Sequence, residues 1–348
     1  MTRTALDLYA GAGGATEGLR SAGFDVVGAI ENDPDAAASY RLNHPDVRLW
    51  DADIRKVPAS HVLRALDLKP GDLTLLKACP PCQGFSSMAE GRVTVNEEQN
   101  DLVLHTIRFV RALRPQSVLL ENVPGLGRDA RARRLVGALT DLGYASKQYK
   151  VNAVEFGVPQ RRKRLIILAA RGLRSRLPES LSSVGLDGDL APDLSVRTAF
   201  QQLADELVPG DPLDRSRRLS ETVARRVEAV PIGGSRFDLP RELQLDCHVR
   251  LGARSRSAAS SYGRLRLDQP APTMTTRCTT PACGSFIHPT ENRGITLREA
   301  ATLQTFPATY QFAGGYGAIE RQIGNAVPVR MAKALGGVVL SLVGQHRP

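Results

Sequence analysis

Lysine is scarce in this chain. Seven of its 46 basic side chains are lysine, and none lies between Arg164 and Arg330. Cationic character therefore rests on arginine, whose planar fork reads phosphate and guanine at two points; an arginine-rich codon bias would give the same composition. Cysteine is sparse as well. Five cysteines in 348 residues are an odd number, and a chain this long buries a core without staples, so reduced thiols are expected. No run of roughly 18 apolar residues occurs, so no membrane span is expected. The start Met1-Thr2-Arg3-Thr4-Ala5-Leu6-Asp7 lacks the apolar stretch of a secretory signal and reads as cytoplasmic. A basic tail is missing too: 23 basic and 19 acidic side chains fall in 1–170, 17 and 14 in 171–277, and 6 and 3 in 278–348. Any anion-binding face must be assembled by folding.

What is present describes a globular protein with a polyanion as a natural partner. The chain is 42% hydrophobic and 24% charged, with a net charge of +10, too apolar for a disordered segment. At ~100–200 residues per domain its length suggests two domains. Strand-like and helix-like segments alternate through the first half. Strands are expected at 5–9, 26–30, 47–50, 73–76, 117–120 and 165–169, with helices at 16–22, 34–42 and 101–113. That alternation argues for an α/β fold whose parallel sheet carries helices on both faces. After Arg171 the character changes, and Pro, Gly, Ser and Arg break the periodicity. Short helices are expected at 195–207 and 220–230, then a helix from Thr296 and an apolar closing helix at 329–343.

The chemistry-bearing residues fall at expected strand ends. The first strand runs into Gly11-Ala12-Gly13-Gly14 and then a helix, which lets backbone approach a ligand and turns a helix N-terminus toward negative charge. The spacing is not that of a dinucleotide fingerprint. Glu31 closes the next strand, where a carboxylate can take two ribose hydroxyls, and Asp53-Ile54 follows the third, where it could hold an adenine amino group. Paired acids at successive strand ends indicate adenosine. After the fourth strand comes Cys79-Pro80-Pro81-Cys82-Gln83-Gly84-Phe85-Ser86. A zinc site would need two further ligands at matching spacing; Cys278 and Cys283 are the other pair, with no histidine close to either, so no metal is expected. A single thiolate nucleophile beyond a strand end remains. Glu121 ends the fifth strand before Asn122-Val123-Pro124-Gly125, well placed for acid–base work. In Gln160-Arg161-Arg162-Lys163-Arg164, Arg162 and Arg164 share one side of an extended chain.

In this order the motifs resemble the DNA cytosine-5 methyltransferases of bacterial type. The pieces are Asp7 to Gly14, Pro80 to Ser86, Glu121-Asn122-Val123, Gln160 with Arg162 and Arg164, Thr296 to Ala301 with Gln304, Phe306 and Pro307, and Gln322 to Pro328. The resemblance covers nearly everything outside about 172–270, where that family carries its variable target-recognition region. Two departures stand out. Tyr9 replaces a phenylalanine, and Lys77-Ala78-Cys79 stands where small residues, usually glycine, are typical.

The resemblance implies a Rossmann-like methyltransferase domain with a mostly parallel sheet, built from 1–180 and 322–348, and a smaller loop-rich target-recognition domain at 181–321. It implies S-adenosylmethionine as methyl donor, lined by Tyr9, Gly11, Gly13 and Pro80, with Glu31 on the ribose, Asp53 and Ile54 at the adenine, and Asn325 returning to the loop. Cys82 would add to cytosine C6, Glu121 would hold the exocyclic amine and N3, Arg164 would take O2, and Arg162 would support the thiolate end or a nearby phosphate. The base would have to leave the duplex, with the segment from about Ser87 to Asn100 closing over it. Double-stranded DNA is the implied partner, met by Gln83, Ser86, Arg241, Arg250, Arg254, Arg256 and Thr275. A monomer working in the cytoplasm at the nucleoid, with or without an independent restriction endonuclease, completes the expectation. An RNA cytosine-5 methyltransferase shares the core but commonly has threonine where this chain has Ser86. A silent DNA-binding module would not need Cys82, Glu121, Arg162 and Arg164 together.

Overall fold

The computed structural model describes residues 3–81, 100–172, 176–182, 193–251 and 258–344. Seven strands form one sheet: β1 (Thr4–Leu8), β2 (Asp25–Glu31), β3 (Arg48–Asp51), β4 (Leu75–Ala78), β5 (Ser117–Asn122), β6 (Tyr144–Asn152) and β7 (Lys163–Arg171). Their order is β3-β2-β1-β4-β5-β7-β6. The first five pair in parallel, and β7 runs antiparallel to both β5 and β6. This is the expected α/β fold of Rossmann-like layout. Successive strands run outward in opposite directions from β1 and β4, so a crevice opens beyond their carboxyl ends, where ligands of such sheets bind.

Helices cover both faces. The chain supplies α1 (Gly14–Ser21), α2 (Pro34–Asn43), α3 (Ala59–Ala65), α4 (Leu102–Leu113), α5 (Ala130–Asp141), α6 (Val196–Glu206), α7 (Glu221–Ala229), α8 (Asp246–Leu251), α9 (Leu297–Leu303), α10 (Tyr316–Asn325) and α11 (Val329–Gly344). Local chemistry sets several of their starts. Asp33 accepts from Ala36 N ahead of Pro34 at α2, and Thr296 and Glu299 form a reciprocal cap at α9. On one face Leu19, Met331, Leu335 and Val338 pack with Ala5, Leu75, Leu119, Ile166 and Leu168. On the other, Val62, Phe109, Leu135 and Leu139 pack with Leu6, Leu8, Leu76 and Leu120. Central strands covered on both faces read as continuous apolar runs, which is why β1, β4 and β7 are visible in the sequence.

The closing helix returns to the beginning of the chain. At Gly18 of α1 a Cβ would lie 2.4 Å from Val329 O and 2.6 Å from Ala332 Cβ, so only glycine admits α11 this closely. The segment Tyr316–Gly344 is long and apolar enough to cross a membrane, at a mean hydropathy of 1.6, but 61% of that window is buried inside the protein. It serves as core. Past β7, short helices alternate with irregular chain joined by isolated bridges at Gln160–Ala271, Arg264–Ile287 and Ile287–Gly294. A third cluster, including Val196, Leu265, Met274, Phe286, Leu303 and Ile323, fills that region.

Three elements of the sheet half escape the sequence pattern. β6 is an edge strand paired only with β7, so polar Lys147, Gln148 and Lys150 are tolerated along it. α3 is short, and α5 carries Arg131, Arg133 and Arg134 among its apolar positions. Expected strand limits also move: β4 extends through Lys77 and Ala78, and β5 takes in Glu121 and Asn122.

Candidate active site

The loop after β1 is built for close approach. Tyr9, Gly11 and Gly13 all have positive φ, at 59°, 57° and 97°. A Cβ at Gly13 would lie 2.7 Å from both His44 Nε2 and Tyr310 Oη, so the position admits only glycine. Tyr310 donates to Ala12 O at 2.7 Å and meets His44 Nε2 at 3.1 Å, bracing the loop from behind. Tyr9 donates its hydroxyl to Leu102 O at 2.5 Å. Glu31 closes the other side. Its Oε2 accepts Gly11 N at 2.7 Å, and its Oε1 accepts Asn32 N at 2.9 Å and Asp33 N at 2.8 Å. Burial pushes its carboxyl up while those amides pull it down, with a net rise. A carboxylate offers about four lone-pair positions, so room remains for a ligand hydroxyl.

Asp53 and Ile54 follow β3. Asp53 accepts Arg55 N at 2.9 Å and pairs with the Arg55 guanidinium at 2.6 Å, which holds its carboxyl below the usual range. Arg108 donates to Ile54 O and to Val57 O, fixing this turn. Arg108 lies near both Tyr9 and Asp53, which places this turn beside the loop after β1.

Glu121, expected to do acid–base work, stands where the ends of β4, β5 and β7 come together. Glu121 is 3% exposed. Its Oε1 is 2.7 Å from Arg164 Nε, an ion pair in which the N–H is not aligned as a hydrogen bond. Its Oε2 accepts the Cys79 thiol at 2.8 Å, a partner that sequence reasoning did not assign. The strand register brings the two together: Glu121 lies two residues past Leu119, the register partner of Lys77, as Cys79 lies two past Lys77 itself. Asn122 Nδ2 donates to Pro80 O at 3.0 Å, and Cys79 N donates to Leu8 O at 3.2 Å. The turn leading to Cys82 is therefore pinned to both neighbouring strands. Cys82, Gln83 and Ser86, and the segment through Gln99 assigned to closing over the base, lie outside the described residues.

Arg162 immediately precedes β7 and Arg164 lies within it, and their surroundings differ. Arg162 is 3% exposed, and its guanidinium donates to Met274 O, Gly324 O and Ala326 O. It ties β7 to the 274 loop and to the end of α10. Asn325, the exposed last residue of α10, lies between two of these carbonyls. The same segment reaches the start of α1, where a Cβ on Gly14 would be 3.0 Å from Val327 O.

Among the residues expected at DNA, Arg241 and Arg250 are exposed, Thr275 is half-buried, and Arg254 and Arg256 lie outside the described residues. The run from Arg241 to Arg266 is not uniformly available for phosphate. Arg264 is 6% exposed and spends its donors on Val227 O, Val230 O, His288 O, Glu291 O and Asn292 Oδ1. Arg161, by contrast, lines an open groove of about 490 Å³ with Gly233, Arg266, Gln269 and Thr273. No group of three or more His, Cys, Asp or Glu side chains suited to a metal occurs among the described residues.

A family model for the C-5 cytosine-specific DNA methylases matches residues 3–341. The chain belongs to that family. Methyl transfer to C5 of cytosine in DNA is the activity of its class. The methylase is 33% identical to the Type II methylase M.HgiDII of Herpetosiphon aurantiacus, over 96% of this chain and 94% of that one. It is 34% identical to the Type II methyltransferase M.PspPI of Psychrobacter sp. (strain TA137), over 97% and 79% respectively. In fold it resembles the S. pombe Dnmt2 methyltransferase, with a TM-score of 0.67 and 19% identity over 99% of each chain.

Proposed function

We propose that the methylase transfers the methyl group of S-adenosylmethionine to C5 of a cytosine flipped out of duplex DNA, through a covalent bond between Cys82 and C6. The observation that carries this reading is the Glu121–Arg164 pair, beside the pinned turn that leads to Cys82 and across the crevice from the glycine loop. The donor fits that loop because Gly11 and Gly13 leave no side chain in its way and Glu31 faces it with a free lone-pair position. Tyr9, Asp53, Ile54, Pro80 and Asn325 would complete the donor's surroundings. S-adenosylmethionine supplies an electrophilic methyl group on a sulfonium.

Cytosine C5 is a poor nucleophile, so electrons must be pushed into the ring. The Cys82 thiolate adds to C6, and Glu121 holds the exocyclic amine and stabilises charge developing at N3. Arg164 keeps Glu121 in place and presents its remaining donors toward O2. Once C5 carries the methyl group, loss of the C5 proton and elimination of Cys82 restore the aromatic ring. Arg162 acts in this scheme by holding the end of α10 against β7. Opening the stacked duplex costs a few kcal/mol, which contacts from the groove at Arg161 and Arg266 and from exposed Arg241 and Arg250 offset. The catalytic unit is assigned to 1–180 and 322–348 and the target-reading unit to 181–321, with DNA between them, the protein acting as a monomer on cytoplasmic DNA.

Trapping on a duplex carrying 5-fluorocytosine tests the reaction, because fluorine cannot leave as the C5 proton does. With S-adenosylmethionine present, an adduct stable to denaturation is expected, and Cys82→Ala abolishes it. No adduct, or an adduct that survives Cys82→Ala, overturns the covalent route. The same experiment on an RNA duplex distinguishes the RNA alternative.

A further inference from the structure

Lys77 is the departure from the family pattern that the chemistry above leaves unused. It stands on β4, opposite Asp7 of β1 and Leu119 of β5. Its side chain is 4% exposed and that of Asp7 is 0% exposed, with Nζ 2.8 Å from Asp7 Oδ1. The other Asp7 oxygen accepts the Thr16 hydroxyl at 2.9 Å, and Thr16 meets Tyr40 Oη at 2.9 Å. Thr16 lies in the first turn of α1, directly after the Gly11–Gly13 loop. The ion pair therefore sits at the sheet's switch point, two residues behind Tyr9 on one strand and Cys79 on the other.

A buried ammonium is costly unless paired. Burial opposes the Lys77 charge, but the Asp7 carboxylate, with smaller help from Cys79 and Glu121, raises its pKa on balance. An apolar residue here would fill the space without that cost, yet it would leave Asp7 as an unpaired buried carboxylate. The groups that face the pair from other elements are Tyr40 of α2, His44 just past its end, Tyr310, and Cys79 and Glu121 at the strand ends. Burial drives both tyrosines far up and His44 down to about 4, so none of these three changes charge near neutral pH.

We propose that Lys77 is a positioning residue for the methyl donor: its ammonium balances the buried Asp7, which accepts the Thr16 hydroxyl and so fixes the start of α1 and the glycine loop before it. This rests on the reading of that loop as the donor site. It is a role for a residue at which the family usually places a small side chain, and it reaches the donor through two intermediaries without touching it.

Binding of S-adenosylhomocysteine, followed by calorimetry, tests the proposal. Lys77→Met strands the Asp7 carboxylate in the interior without its partner, and affinity falls by about tenfold. Lys77→Arg keeps the charge and is expected to keep the affinity. Lys77→Met combined with Asp7→Asn removes both charges, retains an acceptor for Thr16, and is expected to restore affinity to near the wild-type value. Should Lys77→Met fail to fold, Thr16→Val supplies the test, with the ion pair intact and affinity about tenfold weaker. Unchanged affinity in folded Lys77→Met, equal weakening in the single and double variants, or unchanged binding in Thr16→Val each overturns the inference. Unchanged binding in Glu31→Ala would instead overturn the placement of the donor.

Discussion

Replacing Glu121 by glutamine isolates what its charge and proton contribute. Glutamine preserves the shape and one acceptor. Its carbonyl can stay on Arg164 while its amide turns toward the Cys79 sulfur, so packing is retained. Lost are the negative charge beside a guanidinium 2.7 Å away and any proton available to the base. The side chains of Arg164 and Glu121 are 13% and 4% exposed, so solvent screens the pair weakly. Unit charges about 4 Å apart attract by roughly 4 kcal/mol at an effective dielectric of 20. Relief from desolvating Glu121 returns part of that, leaving a stability loss of about 2–3 kcal/mol. The rate effect is larger, since removing a positioned acid–base group typically costs about 10²–10⁴-fold. Single-turnover transfer of labelled methyl to a duplex separates the two effects when run well below the melting temperature. In the same assay Arg164→Ala alone should cost nearly as much as the double variant, because each residue positions the other. A Glu121→Gln rate within threefold of wild type would refute the assignment of Glu121 to the base.

Other predictions follow from geometry and charge. Gly18→Ala should lower the melting temperature by the equivalent of about 1–3 kcal/mol, because its Cβ would meet Val329 O at 2.4 Å and Lys333 N at 2.8 Å; an unchanged or higher melting temperature would contradict the close approach of α1 and α11. His44 is 1% exposed, and burial lowers its pKa from 6.5 to about 4. The unfolded chain therefore binds the extra proton first, and stability should fall as pH drops from about 6.5 toward 4, by up to about 3 kcal/mol. Urea midpoints across that range should lose this dependence in His44→Gln. DNA affinity should decrease steeply with salt, since arginine contacts to phosphate release counterions, and Arg161→Ala should weaken binding and flatten the salt slope; a slope unchanged in that variant would remove the groove from the DNA interface.

How much of this was legible in the sequence depends on whether a residue acts through its own strand or through a distant one. The motifs at the ends of β1, β2, β4, β5 and β7 were readable because an α/β sheet gathers its loops at one edge, and a glycine turn or a strand-end acid keeps its chemistry wherever the strands are placed. β6 was not readable, because an edge strand with one partner can carry Lys147 and Lys150 without penalty and so loses the apolar run that marks its neighbours. The arginines divide in the same way. Alternation put Arg162 and Arg164 on one side of an extended chain, yet nothing local distinguishes the one that pairs with Glu121 from the one whose acceptors are the carbonyls of Met274, Gly324 and Ala326. Likewise Arg264 and Arg266 stand two residues apart in one basic run, the first taken up by five oxygens of the protein and the second exposed beside Asp268. Lys77 is the sharpest case. Its sequence context marks it only as an oddity before Pro80, because its meaning depends on β1 and β4 becoming neighbours with Asp7 in register. A charge inside a strand is a cost until the fold supplies its partner, and that partner lies 70 residues back. The pair in turn stiffens the loop that β1 feeds, so the same register that makes Lys77 tolerable ties it to the donor side of the crevice.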